Sequence, residues 1–176
     1  MSSSEMTIAK RNTIVVVMLI SAFVAMLNQT ILNTALPAII SGLGIPETTA
    51  QWLITGFMLV NGVMIPLTAF LMDRYSTRGL YIFSMAAFLI GSLVAALSPN
   101  FSILMVARVI QAIGAGILLP LMQFTVFTLF PVEKRGFAMG LTGIVAQSAP
   151  AIGPTLTGLL IDAFSWRMPF YVVATI

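Results

Sequence analysis

The sequence predicts an all-α membrane protein: a bundle of five full transmembrane helices with a sixth begun. Composition is the first reason. Hydrophobic residues fill 59% of 176 positions and charged residues only 7%, whereas a soluble domain needs about a quarter of its residues charged. The second is where charge is missing. Residues 12–46, 48–72 and 136–161 carry none, and residues 79–132 carry one, Arg108. The third is length: about 20 apolar residues cross roughly 30 Å of hydrocarbon as a helix, so each run is one crossing or two.

The elements follow in order. Residues 1–12 form a polar tail, and the first span covers about residues 13–37. It is too long, and lacks the small-residue cleavage pattern, for a removable leader. Spans two and three cover about residues 51–72 and 79–98, joined by the charged turn holding Asp73, Arg74 and Arg78. The turn signal Ser98-Pro99-Asn100 folds the longest run into two crossings, so span four covers about residues 101–127 and span five about 137–161. A sixth helix opens near Met168, and the nine residues to Ile176 rise only about 13–14 Å as helix. The expectation is that residues 13–176 are an incomplete N-terminal six-helix bundle, missing a C-terminal half.

Lys10, Arg11, Arg74, Arg78, Lys134 and Arg135 fall in the N-terminal tail and the even-numbered connections, while the odd-numbered connections hold only Arg167. The positive-inside rule then puts the N-terminus in the cytoplasm of a multi-pass cell-membrane protein. Trp52 and Trp166 fall at the expected outer boundary, and Tyr75 and Tyr81 at the inner one. With no cysteine and no histidine, thiol nucleophiles, imidazole bases and the usual zinc ligands are gone. No nucleophile–base pair, metal cluster or phosphate loop stands out, no cofactor is expected, and no basic patch points to nucleic acid.

Interest moves to polar residues at membrane depth. Arg108 costs at least about 2.5–3.5 kcal/mol there, so it should face the bundle interior or a water-filled cavity, with Gln111 on the same face at i+3. In the first span, Gln29, Thr30, Asn33, Thr34 and Pro37 make a single stripe with Asn28 beside it. Amides in lipid would go unpaired, so the stripe should face protein or a cavity. It reads equally as interhelical hydrogen bonding. Asp73 goes beyond a solvated charge cluster, since it could cap the following helix or pair with a neighbouring helix end. In span five, Ala149, Gly153 and Thr157 recur every four residues, and Ala146, Pro150, Pro154 and Gly158 form an adjacent row. Together they predict one broad face poor in side-chain bulk, suited to close helix approach, bent where the prolines remove amide donors.

At these residues the chain resembles the major facilitator superfamily, specifically its fourteen-helix drug:proton antiporter branch of the EmrB/QacA type. "LNQTILNTALPAI" (27–39) is similar to the branch's first-helix signature, and "LMDRYSTRG" (71–79) to the superfamily's cytoplasmic motif. "RVIQAIGAG" (108–116) resembles the fourth-helix motif, "APAIGPTLTG" (149–158) the antiporter motif, and "SWRMPF" (165–170) the opening of helix six. All five come in the family's order. The resemblance implies alternating access between two six-helix halves, with small-molecule substrates and protons as partners. It implies proton coupling or cavity roles for Arg108, Gln111, Asn28, Gln29 and Asn33, and a cytoplasmic gate at Asp73, Arg74 and Arg78. The antiporter motif falls on Pro150, Gly153, Pro154 and Gly158. One departure matters most: Asn28 stands where the branch usually has aspartate, so no Asp or Glu lies inside any predicted span. The expected function is export of drugs or other amphipathic molecules. The alternatives are a dedicated metabolite or lipid-component transporter, or a truncated fragment that transports nothing.

Overall fold

The computed structural model describes residues 8–175, with side chains from Lys10 onward. The elements are α1 (Ile8–Leu43), α2 (Glu47–Ala50), α3 (Trp52–Arg74), α4 (Thr77–Ala96), α5 (Phe101–Leu129), α6 (Val132–Ala163) and α7 (Met168–Thr175). Among the described residues five stretches are long and apolar enough to cross a membrane, α2 and α3 counting as one. No strand occurs among the described residues. The helices are generally longer than the apolar runs, because hydropathy marks only the hydrocarbon while helices continue into the headgroup layer. Thus α1 runs six residues beyond Pro37, which is exposed, and stops at Gly44 with φ 63°. There Ile45 N–H donates to Ile40 O at 3.3 Å, the 6→1 bond of a Schellman ending, and glycine carries the left-handed residue without a Cβ clash.

The turns follow local chemistry. Asn100 Oδ1 accepts from Ile103 N–H at 3.0 Å, capping α5 directly after the Ser98-Pro99 turn. Before α4 the cap is Ser76, whose Oγ accepts from Gly79 N–H at 3.2 Å. Of the two roles expected for Asp73, capping this helix falls instead to Ser76. Ser76 stands immediately before the first turn with extended backbone, the position from which a short side chain reaches the free N–H groups, and Asp73 still belongs to α3.

The centre of the bundle is α5, packed most extensively against α4 and α3 and more lightly against α1. Small residues make this possible. A methyl group added at Gly114 would lie 2.5 Å from Ser84 O and 2.9 Å from Phe88 N, both backbone atoms of α4. One added at Gly116 would lie 2.5 Å from Met64 Cβ of α3. Reciprocally, Gly91 of α4 admits α5, since its Cβ would fall 2.6 Å from Gln111 Cγ and 2.9 Å from Ala107 O. Lipid tails are as apolar as the side chains, so close van der Waals fit is what holds such helices together.

Against α1, α5 packs along three successive levels. Val15, Met18, Leu19 and Ala22 share a cluster with Ile117, Leu121, Met122 and Val126. Val24, Ala25 and Ile31 share the next with Ala112, Ala115 and Leu118, and Leu32, Ala35 and Ile39 the third with Leu104 and Ala107. This third level also holds Trp166 and Phe170. Trp166 is buried, and a methyl group at Gly42 would meet its Nε1 at 2.6 Å. Arg167 stacks over it at 4.4 Å and donates to Ser98 O at 2.9 Å. Trp166 thus fastens the α6–α7 connection to α1, whereas Trp52 is exposed.

A prediction follows from the packing. Gly114→Val should destabilise the protein by about 1–3 kcal/mol, because backbone cannot yield to the added bulk. Gly62→Ala meets nothing within 4 Å and should be neutral or stabilising by up to about 1 kcal/mol. Thermal melts of the detergent-solubilised variants should separate the two.

Candidate functional site

Arg108 lies in the middle of α5 and is 1% exposed. Its Nη1 donates to Gln111 Oε1 at 2.8 Å, one turn along the same helix. Gln111 Nε2 donates to Ser92 Oγ of α4 at 3.0 Å, and Ser92 Oγ donates to Phe88 O at 2.8 Å. The guanidinium carbon sits 4.1 Å from the ring centroid of Phe57 on α3, where the ring's negative face attracts a cation. Three helices thereby hold one charge. The acidic side chains among the described residues, Glu47, Asp73, Glu133 and Asp162, are all exposed, so none shares this interior. Arg108 Nε remains enclosed without a hydrogen-bond partner.

The sequence placed Arg108 and Gln111 on one face, and the structure joins them. It gave no sign of Phe57 or Ser92, whose roles depend on which helices become neighbours. The only available signal was the Gly91-Ser92 pair in α4, small residues suited to another helix's approach.

The polar stripe of α1 does not share one environment. Asn28 is fully buried with both carboxamide atoms unpartnered. Gln29, Thr30 and Thr34 are half-buried, while Asn33 and Pro37 are exposed. The stripe expected to face protein or a cavity runs from the interior to the surface of the described chain. Periodicity gives a stripe its continuity but not the neighbours that cover it.

The expected broad face of α6 divides similarly. Ala149, Gly153 and Thr157 are buried, whereas Pro150 and Pro154 are exposed and Ala146 and Gly158 half-buried. The first row seats against α1: a methyl group at Gly153 would collide with Thr30 Oγ1 and lie 3.0 Å from Thr30 Cβ. At Gly158 it would meet nothing within 4 Å. The helix stays continuous through both prolines. At the expected gate, Asp73, Arg74 and Arg78 are all exposed, with Arg74 lying 4.8 Å over the Phe70 ring. Arg78 edges a cavity of about 480 Å³ between α1, α4 and α5, lined also by Val17, Tyr81 and Phe124.

The family model for the Major Facilitator Superfamily matches residues 18–176. The chain belongs to the Major Facilitator Superfamily. It is 52% identical over 172 residues to the uncharacterized MFS-type transporter YcnB of Bacillus subtilis (strain 168), covering 98% of this chain and 36% of YcnB. It is 41% identical over 159 residues to the lincomycin resistance protein LmrB of the same organism, covering 90% of this chain and 33% of LmrB. The chain thus spans about a third of the length of these relatives. Among solved structures it is similar to a peptide transporter, POT, in complex with sulfate. The TM-score is 0.74 at 15% identity, covering 89% of this chain and 35% of that one, a likeness of fold alone. The all-α helical bundle of a major facilitator fold is therefore established.

Because Gln111 links the charge to α4, Gln111→Leu should be more destabilising than Ser92→Ala. The first strands a buried charged donor, costing about 3 kcal/mol or more; the second removes a neutral partner, costing about 1–3 kcal/mol. The two melting temperatures should preserve that order.

Proposed function

We propose that this chain is the N-terminal membrane bundle of a secondary transporter that exports drugs or other amphipathic small molecules by alternating access, coupled to protons. The observation that carries the reading is the seating of Gly153 on Thr30. It joins the antiporter motif of α6 directly to the polar stripe of α1, so the two move as one packed pair. The resistance role in LmrB's name supports export as the direction, and the order of the five motifs supports the drug antiporter branch over a dedicated metabolite or lipid-component carrier.

Orientation follows the charges, with the N-terminus cytoplasmic in the cell membrane. Arg11, Arg74 and Arg135 support this, since each lies on a phenylalanine ring at the same end of the bundle, 4.7, 4.8 and 4.2 Å from the Phe130, Phe70 and Phe127 centroids. A six-helix half is supported by the groove beside α7. One cavity of about 480 Å³ opens at Val173 and Thr175 between α1 and α4, and another of the same size continues it past Tyr81. Both are apolar seats for a helix in line with α7.

In this mechanism Arg108 acts as a fixed charge, since a guanidinium does not release its proton in proteins. Gln111 sets its direction, and Asn28 cannot carry a proton either. The titrating carboxylate of a proton-coupled cycle is then Asp73 or a group outside these five spans. Asp73, Arg74 and Arg78 would latch the cytoplasmic side of a closed state, their exposure leaving them free to meet a facing half. Gln29 and Asn33, toward the open side of α1, would contact the substrate path.

Arg108→Ala should abolish active efflux from cells while the protein still reaches the membrane; undiminished efflux would remove Arg108 from the mechanism. Gly153→Ala should lower efflux about tenfold or more by prising α6 from α1, with partial recovery when Thr30→Ala is added. Efflux of a fluorescent amphiphile, normalised to membrane abundance, measures both.

A further inference from the structure

We propose that the interior between α1 and α5 holds a binding site for a small monovalent anion of the halide class, formed by Arg108 and Asn28. The argument begins with charge. Leaving one member of a buried ion pair unpaired is strongly destabilising, and Arg108 is enclosed at 1% exposure with no carboxylate beside it among the described residues. Gln111 Oε1 and the Phe57 ring face supply partial charges only. Because the enclosure is complete within this one bundle, an acidic group on any other segment cannot touch Arg108 without first parting these helices.

Donors come next. Arg108 Nε and both carboxamide atoms of Asn28, the donor Nδ2 and the acceptor Oδ1, are buried and without partners. The packing puts them at one level. On one side of Asn28, Val24 and Ala25 share a cluster with Ala112 and Ala115; on the other, Leu32 and Ala35 share one with Leu104 and Ala107. That antiparallel register sets Asn28 opposite the Arg108–Gln111 turn. Asn28 also lies on the face of α1 that carries Val24, Ile31 and Ala35, the face turned to α5. By this register two N–H donors and one net positive charge fall at the same level of α1 and α5, a donor set that suits an anion.

The same arithmetic explains what an aspartate in place of Asn28 would do. It would supply the missing negative charge from the chain itself, and the site would have no use for an ion. A halide and a carboxylate are thus alternatives at one place, independent of what the protein exports.

The test uses the protein as its host produces it, purified in detergent and melted in sodium chloride or in sodium gluconate of equal ionic strength. Chloride should raise the melting temperature saturably by about 2 °C or more, since a ligand that binds only the folded state stabilises it by mass action. Asn28→Asp should melt in gluconate at or above the native temperature and lose the chloride response. Arg108→Gln should lose it too, and if that variant does not accumulate, Asn28→Asp decides alone. An equal chloride response in Asn28→Asp would overturn the site in favour of a general salt effect. No response in the native protein would overturn it in favour of an interior filled by water.

Discussion

A guanidinium in the middle of a membrane helix has to be held by protein, because hydrocarbon offers it nothing. In this bundle the holding falls to α5 and everything it touches. Gln111 fixes one end of Arg108, Phe57 covers its face, and Ser92 fixes Gln111 in turn. These contacts need α3 and α4 to approach α5 almost to backbone distance, which is the work of Gly91, Gly114 and Gly116. The glycines and the arginine therefore answer one requirement. Bulkier residues at the helix contacts would leave the charge without its partners, and without the charge the polar partners would have little reason to be inside.

Much of this was legible in the sequence, for physical reasons that can be named. The spans stand out because charge is so costly in hydrocarbon that its absence marks their length. Arg108 and Gln111 were legible as a pair because a helix puts i and i+3 on one side wherever it is. The Ser98-Pro99-Asn100 turn was legible because its signals are local, and Asn100 caps α5 as such a residue should.

What escaped is what depends on neighbours. Phe57 and Ser92 lie far from Arg108 in the chain, and nothing in either local pattern says that their helices meet there. Trp166 reads as an interfacial anchor, yet Gly42 leaves a space its indole fills, a complementarity between distant positions. The stripe of α1 and the double row of α6 were visible as periodicities. Their division into covered and open parts was not, since Thr30 and Gly153 are in contact while Asn33, Pro37 and Pro154 face outward. Periodicity reports that a surface exists; only packing reports its occupant.

The packing also divides the bundle unevenly. Helices α3, α4 and α5 form one tight group, and α1 with α6 forms another; the seam between α1 and α5 is thinner than either interior. Polar links tie the first group within itself, Thr68 to Gly116 O at 3.3 Å and Gln111 to Ser92 at 3.0 Å. Across the seam the described clusters are apolar, from Val15 and Val126 at one end to Ile39 and Leu104 at the other. Directional bonds join the two groups beside the seam: the Ser21 and Tyr81 hydroxyls lie 2.6 Å apart, linking α1 to α4, and Arg167 donates to Ser98 O at 2.9 Å. Two stiff groups with an apolar seam and these two pins can shear only as far as the pins allow, and Asn28 sits on that seam. The chain is thus built less like a solid block than like two plates bolted at a pair of points, rigid on each side and held in register by few bonds.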